Sequence, residues 1–317
     1  MCIRDRVYIN VLEPAYVSVP APIKTVVIVN RTYVPDDKKT KTANILEGVL
    51  TQELPFQDRI AAEECVRGVV EELNSLPRFQ AQFAANYKMI GAVSKTFPQQ
   101  IDWAEVSKIC KEYNCDGLIA LEIFDSDNIH DVRPIRKEKT VDGKLKTWTE
   151  FVAHLGVRVQ AGWRIYDPVN QRVVDQNIFN DSRAWDGSGS NQMLAIANCP
   201  PQIEMVKQGA YSAGAAYAQR ISPKWITVTR DLYKKGNDDI KMAGRMCTAG
   251  QWHEAGEVYR KYVNDGNHKI AGRACHNLAV ICEVEGNLDE AVTWVQKAYT
   301  NYGLKRSMYY FLSLIHI

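Results

Sequence analysis

Near its carboxyl end the chain repeats itself. Gly250-Gln251-Trp252-His253-Glu254-Ala255 returns 36 positions later as Gly286-Asn287-Leu288-Asp289-Glu290-Ala291. At the same spacing Ala243 corresponds to Ala279, Met242 to Leu278, Tyr259 to Val295 and Lys261 to Lys297. A period of this size marks one supersecondary unit stacked on the next, because a single unit cannot bury its own apolar face. Ala243 and Ala279 fall midway along a first helix, and Ala255 and Ala291 fall early in a second. Small side chains there let the two helices cross closely, while Tyr259, Leu278, Trp294 and Val295 fill the space around them. Gly250 and Gly286 stand where each first helix ends and a left-handed residue is wanted.

This pattern resembles the tetratricopeptide repeat, over about 80 residues from Gly236 onward. The second unit carries Leu278, Ala279, Ala291 and Ala298 at the small and apolar positions of that pattern. It departs at Cys275, where the pattern prefers Trp, and at Gly303, where it has Pro. The period exceeds the usual length of about 34 residues, which predicts a longer loop around Asn264–His268. Tyr309-Tyr310-Phe311 opens a third unit that the end of the chain cuts off. The resemblance implies a stack whose concave groove receives a protein partner, lined by side chains of the first helices. Here those are Arg273, His276, Val280 and Glu283; each also reads as a solvated position with one core contact. The alternative to a repeat is an unrelated pair of helical hairpins.

Upstream the pattern changes to alternating strands and helices. Lys24–Asn30 is an apolar run after Pro20 and Pro22 and predicts a buried strand. Val7–Leu12 alternates weakly, as an earlier edge strand. Asp58 opens a helix to about Leu73, with Ala62, Val66, Val69 and Leu73 at helical spacing and acidic residues opposite. Phe79–Phe83 is the next strand. Asp102, with Glu105 three residues on, predicts a capped helix to about Tyr113. Asp116-Gly117 leads into a buried strand at Leu118–Phe124. Val157, Val159, Ala161, Trp163 and Ile165 alternate with polar residues as a half-buried strand, and Arg172–Phe179 returns as its hairpin partner. An earlier hairpin turns at Asp142-Gly143. Pro200-Pro201 begins a helix whose inner face is Val206, Ala210, Ala213, Tyr217 and Ile221. Trp225–Val228 is a last strand.

The predicted fold class is α+β: a sandwich-like α/β amino-terminal domain with a mixed sheet over residues 7–233, then an all-α, tetratricopeptide-type helical repeat over residues 236–311. The Val-Val-Ile-Val strand, the Cys-Asp-Gly-Leu-Ile entry to a middle strand and the Arg-Ile-Tyr-Asp-Pro hairpin resemble the TolB amino-terminal domain and curli-secretion-type envelope lipoproteins. Val11-Leu12-Glu13-Pro14-Ala15, Val29-Asn30-Arg31-Thr32 and Arg220-Ile221-Ser222-Pro223-Lys224-Trp225 resemble a family of Bacteroidota cell-envelope proteins. That resemblance implies an envelope location, a lipoprotein signal and terminal repeats, with no activity attached. Residues 1–6 and 312–317 resemble translated sequencing-adapter ends, so natural sequence is expected from Val7 to about Phe311 and any targeting segment is expected to be lost.

Composition narrows the chemistry. Lys+Arg number 39 against 37 Asp+Glu, which gives no electrostatic reason to expect nucleic acid as a partner. Without Cys2, seven of the eight cysteines remain, and an odd, scattered set is no disulfide framework. Cys110 and Cys115 read as two thiols, with a disulfide as the alternative. The histidines lack a short ligand spacing, and neither a Gly-x-Ser-x-Gly elbow nor a Gly-Lys-Ser/Thr phosphate loop is present. Asp181–Asn191 reads as an exposed loop between sheet and helix, with cation binding as the sharper alternative. Its Trp185 either anchors a partner or covers the domain core. The basic run Arg133–Lys146 reads as the solvated tip of a hairpin.

These observations predict a non-enzymatic cell-envelope protein, an interaction scaffold whose helical repeats bind a protein partner. No cofactor, metal or nucleic acid is expected, and membrane contact only through a lost lipid anchor. The alternative is an oligomerising assembly or secretion accessory factor joined through a sheet edge of the α/β domain. A third reading, a hydrolase or metal-dependent enzyme, demands a deep pocket with converging titratable groups between Phe124 and Trp185. The oligomeric state is left open.

Overall fold

The computed structural model describes residues 5–33, 57–90 and 96–315. In chain order the elements are β1 (Asp5–Glu13), β2 (Thr25–Tyr33), α1 (Gln57–Ser75), β3 (Gln80–Ile90), α2 (Trp103–Glu112) and β4 (Gly117–Val141). Then come β5 (Lys144–Asp167), β6 (Arg172–Gly189), α3 (Gln192–Ala197), α4 (Gln202–Ile221) and β7 (Lys224–Leu232). Five helices finish the chain: α5 (Asp238–Thr248), α6 (Trp252–Arg260), α7 (His268–Val284), α8 (Leu288–Thr300) and α9 (Lys305–Ile315). Contacts divide the chain into an α/β unit, Ala15–Pro223, and a helical unit, Lys224–Ile317 together with the segment that ends at Pro14.

The α/β unit is a mixed five-stranded sheet in the order β3-β2-β4-β5-β6. β2 runs parallel to β3 and β4, and the β4–β5 and β5–β6 pairs are antiparallel. The apolar run in β2 is continuous because both faces are covered: Val26 and Ile28 pack with α1 and α4, Val27 and Val29 with α2. Ile119 and Leu121 against Leu118 and Ala120 divide in the same way in β4. On the α1–α4 face Trp163 stacks on Tyr217 with ring centroids 4.9 Å apart and planes at 11°. The two helices touch through Gly68 and Gly214, where a Cβ would collide with the carbonyl oxygens of Tyr211 and Cys65. Asp102 caps α2 by accepting from the Ala104 N–H at 2.8 Å. Glu105 does not close the expected capping box but lies 3.6 Å from Lys108.

Three local expectations are corrected. The strand expected at Leu118–Phe124 continues to Val141 and its partner begins at Lys144, so the hairpin at Asp142-Gly143 closes a far longer ladder. Asp142 and Gly143 both have positive φ, +51° and +73°, as a tight two-residue hairpin requires. The loop expected over Asp181–Asn191 is mostly strand: β6 stays paired with β5 until Gly189 opposite Phe151. Val7–Leu12 and Trp225–Val228 are strands as expected, but they pair with each other, antiparallel from Asp5↔Leu232 to Glu13↔Lys224. Both strands belong to the helical unit.

In that unit the alanines expected at the helix crossings, Ala243, Ala255, Ala279 and Ala291, are all fully buried. Gly250 and Gly286 end α5 and α7 with φ of +79° and +81°. The ends of the first helices and the starts of the second, Thr248 and Trp252 against Val284 and Leu288, keep the 36-residue offset. Residues 261–267 join α6 to α7, which begins at His268, six residues before the 36-residue offset from Asp238 would place it. Asp5 and Arg6 lie in β1 and Leu312–Ile315 in α9, within the two terminal hexapeptides read as adapter sequence.

Candidate protein-docking surface

The expected groove positions lie on α7, a helix whose residues from Ala271 to Glu283 are buried with the exception of Arg273. The chain itself covers them. Glu283 accepts from the Arg230 guanidinium of β7 at 2.6 and 2.7 Å, and from the Tyr310 hydroxyl of α9 at 2.6 Å. His276 lies 3.1 Å from the Asp231 carbonyl oxygen and 2.9 Å from the Ser307 hydroxyl. Asn277 clamps the backbone on both sides of the Tyr233 Cα, accepting from the Tyr233 N–H at 2.9 Å and donating to the Tyr233 carbonyl at 2.8 Å. Arg273 donates to the Lys235 carbonyl at 2.5 Å and stacks over Tyr233. Val280 is fully buried. Burial pushes the His276 imidazole down to about 4, so it is neutral at pH 7. Burial also pushes the Tyr310 phenol above its ordinary value. The expectation that these side chains stand free in a groove is therefore corrected. They hold the segment from Arg230 to Lys235 of the same chain, where β7 runs on toward α5.

The exposed surface lies elsewhere. Beyond Phe151, β4 and β5 lose their third strand and continue as a two-stranded arm to the turn at Asp142-Gly143. At about 3.3 Å per residue the arm extends about 25 Å. Leu145 and Trp148 on it are 63% and 47% exposed. Cross-strand partners share a face, so the ladder register sorts the side chains. The face turned away from α1 and α4 carries the rows Asp125–Gln160–Asn180, Asp127–Arg158–Ser182, Ile129–Gly156–Ala184 and Asp131–His154–Asp186. Continuing outward it carries Arg133–Val152–Ser188, Ile135–Glu150, Lys137–Trp148, Lys139–Lys146 and Val141–Lys144. The basic run is thus one end of a long outer face, with Lys137 3.4 Å from Glu150 and His154 2.8 Å from Asp186. The sequence identifies the basic hairpin but not its length, because polar alternation looks the same in a strand and in a solvated loop.

Trp185, the other expected contact residue, pairs across from Leu155 and packs half-buried with Ala195, Cys199 and Met205. Of its two readings the structure favours the cover over a small core. Asp125, Asp127, Arg158, Gln160, Asn180, Asp181 and Ser182 line an open depression of about 400 Å³ in the region where an enzyme would need its pocket. Among the described residues no group of three or more His, Cys, Asp or Glu side chains could hold a metal ion. Cys110 and Cys115 are free thiols, with the Cys115 Sγ 3.7 Å from the Cys110 carbonyl oxygen. Glu122, wholly buried at an irregularity in β4, is held by Arg31 at 3.1 Å, Arg164 at 2.6 Å and the Tyr166 hydroxyl at 2.6 Å. Arg31 and Arg164 also donate to the carbonyls of Gln99 and Pro98. No motif announces this cluster, which fastens the segment before α2 to the sheet.

Residues 23–233 match the family described as Domain of unknown function DUF8603, and the chain belongs to that family. Residues 241–315 match a second, Domain of unknown function DUF6340. No curated protein sequence matches the chain. Among solved structures it is similar to two PelC dodecamers from Paraburkholderia phytofirmans. One, in space group C2, is 12% identical, covering 68% of this chain and 98% of that one, with a TM-score of 0.25. The other, in space group P6, is 13% identical, covering 69% and 99%, with a TM-score of 0.24. A neuraminyllactose-binding hemagglutinin homolog from Helicobacter pylori is 10% identical, covering 62% and 84%, with a TM-score of 0.28. Scores this low fix neither fold nor function.

Proposed function

We propose that this protein is a non-enzymatic scaffold of the cell envelope that holds other protein chains, and that its contact surface is the outer face of β4–β5–β6 with its arm. The observation that supports this is the arm itself. Two strands alone are marginally stable in water, and this pair holds Trp148 and Leu145 in solvent. A ribbon of that kind gains stability when a partner covers it. The face of α7 is a weaker candidate, since β7 and α9 already occupy it. The hairpins matched at 36 residues favour a tetratricopeptide-type reading of the helical region, with its first-helix face closed. The envelope location, the Bacteroidota kinship and a lipid anchor upstream of Val7 rest on the sequence phrases quoted above. A lipobox cysteine in the upstream gene sequence would support the anchor, and its absence would remove it.

Photo-crosslinking tests the contact surface. A benzoylphenylalanine replaces Trp148 or Val280 in the full chain, expressed in cells of the source organism. Protein adducts from position 148 and none from position 280 are expected. The reverse pattern would return the docking role to the helical repeats.

A further inference from the structure

β6 is the last strand of its sheet. Alternate residues of such a strand turn N–H and C=O groups away from their neighbour, a row open to another strand. Over Asp175–Arg183 the pairing with β5 is regular, from Ile165 to Val157. Among the described residues no segment other than β5 hydrogen-bonds to the backbone of this stretch. It holds neither proline nor lysine, the residues that commonly blunt an edge. Both of its ends are marked. Val174 is an extra residue, since Ile165 pairs with Asp175 and Tyr166 with Val173. Beyond the other end the Ser188 carbonyl accepts from the Asn198 amide at 2.7 Å. Between these limits the charges read almost alike from either direction. An antiparallel copy, turned about a two-fold axis through Phe179, sets Asp175 opposite Arg183 and Arg183 opposite Asp175. The one other charge in the stretch, Asp181, faces Asn177. Past Val174, Arg172 comes to the level of Trp185 and Asp186. Directly opposite residues share a face, and Asp175 and Arg183 both lie on the α4 side. Asp175 accepts from the Tyr217 hydroxyl at 3.4 Å, and Arg183 donates to the Ser212 hydroxyl at 2.8 Å.

We infer that the edge of β6 takes a second copy of this chain, strand to strand and antiparallel, with Phe179 on the two-fold axis. The two five-stranded sheets then join into one of ten strands. The inference goes beyond the docking reading and does not rest on it, because the joint occupies the edge of the sheet and not its outer face. An interface related by a two-fold axis must be complementary to itself. Main-chain pairing meets that condition in many registers, and the charges select this one. An axis at Ser182 would also oppose Asp181 and Arg183, but its ladder would run onto Ser188, whose carbonyl is already taken. Ile178, 37% exposed, and the half-buried Phe179 stand at the centre of the chosen register. Nine paired residues extend about 30 Å at the spacing of a strand. That is a narrow contact, smaller than a permanent interface, so the association is reversible, in the micromolar range, and weakened by salt.

Sedimentation and cysteine trapping of the full chain test this. The wild type is expected to shift from 35.9 kDa toward twice that mass over the micromolar range. A residue on the axis lies beside its own counterpart, at a Cα separation that a disulfide spans. In a Cys2→Ser background, Phe179→Cys is therefore expected to give a covalent dimer on mild oxidation, and Ser182→Cys and Trp148→Cys far less. Asp175→Arg and Arg183→Asp are each expected to weaken association about tenfold or more. Their equimolar mixture, in which the opposed charges are again unlike, is expected to recover it. Circular dichroism melts matching the wild type show that the variants are folded; where a charge variant melts early, trapping at Phe179 decides alone. A wild type that stays monomeric at high concentration would overturn the inference. So would a mixture of folded charge variants that fails to associate, or trapping at Ser182 or Trp148 in preference to Phe179. Photo-crosslinking from position 148 remains a separate test of the docking reading.

Discussion

Removing the Glu283 carboxylate distinguishes a filled helical face from an open one. In the folded chain Arg230 is 8% exposed, and its guanidinium donates twice to Glu283, which also receives the Tyr310 hydroxyl. Glu283→Ala leaves the guanidinium out of water without a counter-charge and the phenol without its acceptor. Breaking a buried pair from one side costs about 3–5 kcal/mol. With a urea dependence of about 1.5 kcal/mol per molar, the midpoint of the helical unit should fall by about 2–3 M. The assay is urea unfolding followed by far-ultraviolet circular dichroism, with Glu257→Ala as the exposed control. The double variant Arg230→Met, Glu283→Leu should recover most of the loss, because an apolar pair of similar volume replaces a buried ion pair at little cost. A loss below about 1 kcal/mol, the range of an exposed pair, would refute the reasoning and leave Glu283 free to face a partner.

Other outcomes follow from the same geometry. His276 is held neutral with its proton affinity lowered to about 4, against about 6.5 in an unfolded chain. The unfolded state therefore binds the proton first, and stability is lost as pH falls from about 6.5 toward about 4, by about 2 kcal/mol between pH 7.5 and pH 5. Urea midpoints of the wild type against His276→Gln should show this slope flatten in the variant; parallel slopes would contradict it. Gly214→Ala places a methyl group against the Cys65 carbonyl oxygen and should destabilise the α/β unit by about 1–3 kcal/mol, read as a lower melting temperature. Asp102→Ala removes the α2 cap and should cost about 1 kcal/mol, while Asp102→Asn should cost little.

Local chemistry was the legible part of this chain. Apolar runs covered on both faces, such as Val26–Val29, announce buried strands wherever they occur. The paired glycines Gly250 and Gly286 mark helix ends because a left-handed residue is needed there. Partnership was not legible. Val7–Leu12 and Trp225–Val228 are each recognisable as strands, but nothing local says that they pair across more than two hundred positions of sequence. The same limit applies to α7: a repeat pattern says which side chains face the concave side, not that Arg230 and Tyr233 return to fill it. Strand length failed for a different reason. Asp181–Gly189 is polar, and a strand at the sheet edge with one solvated face carries the residues of a loop. The cluster at Glu122 lies among apolar neighbours, and its partners Arg31, Arg164 and Tyr166 converge only through the sheet.

Hydrogen exchange of the full chain, alone and with its crosslinked partner, tests the central claim most directly, because one experiment reads both surfaces. Amides of α7 should be protected in both, held under β7 and α9. Amides of the arm between Arg133 and Glu150 should exchange quickly in the chain alone, as a two-stranded ribbon does, and slow where the partner covers them. An arm that stays equally exposed in both, together with α7 amides that exchange quickly, would contradict the account and move recognition back to the helical face.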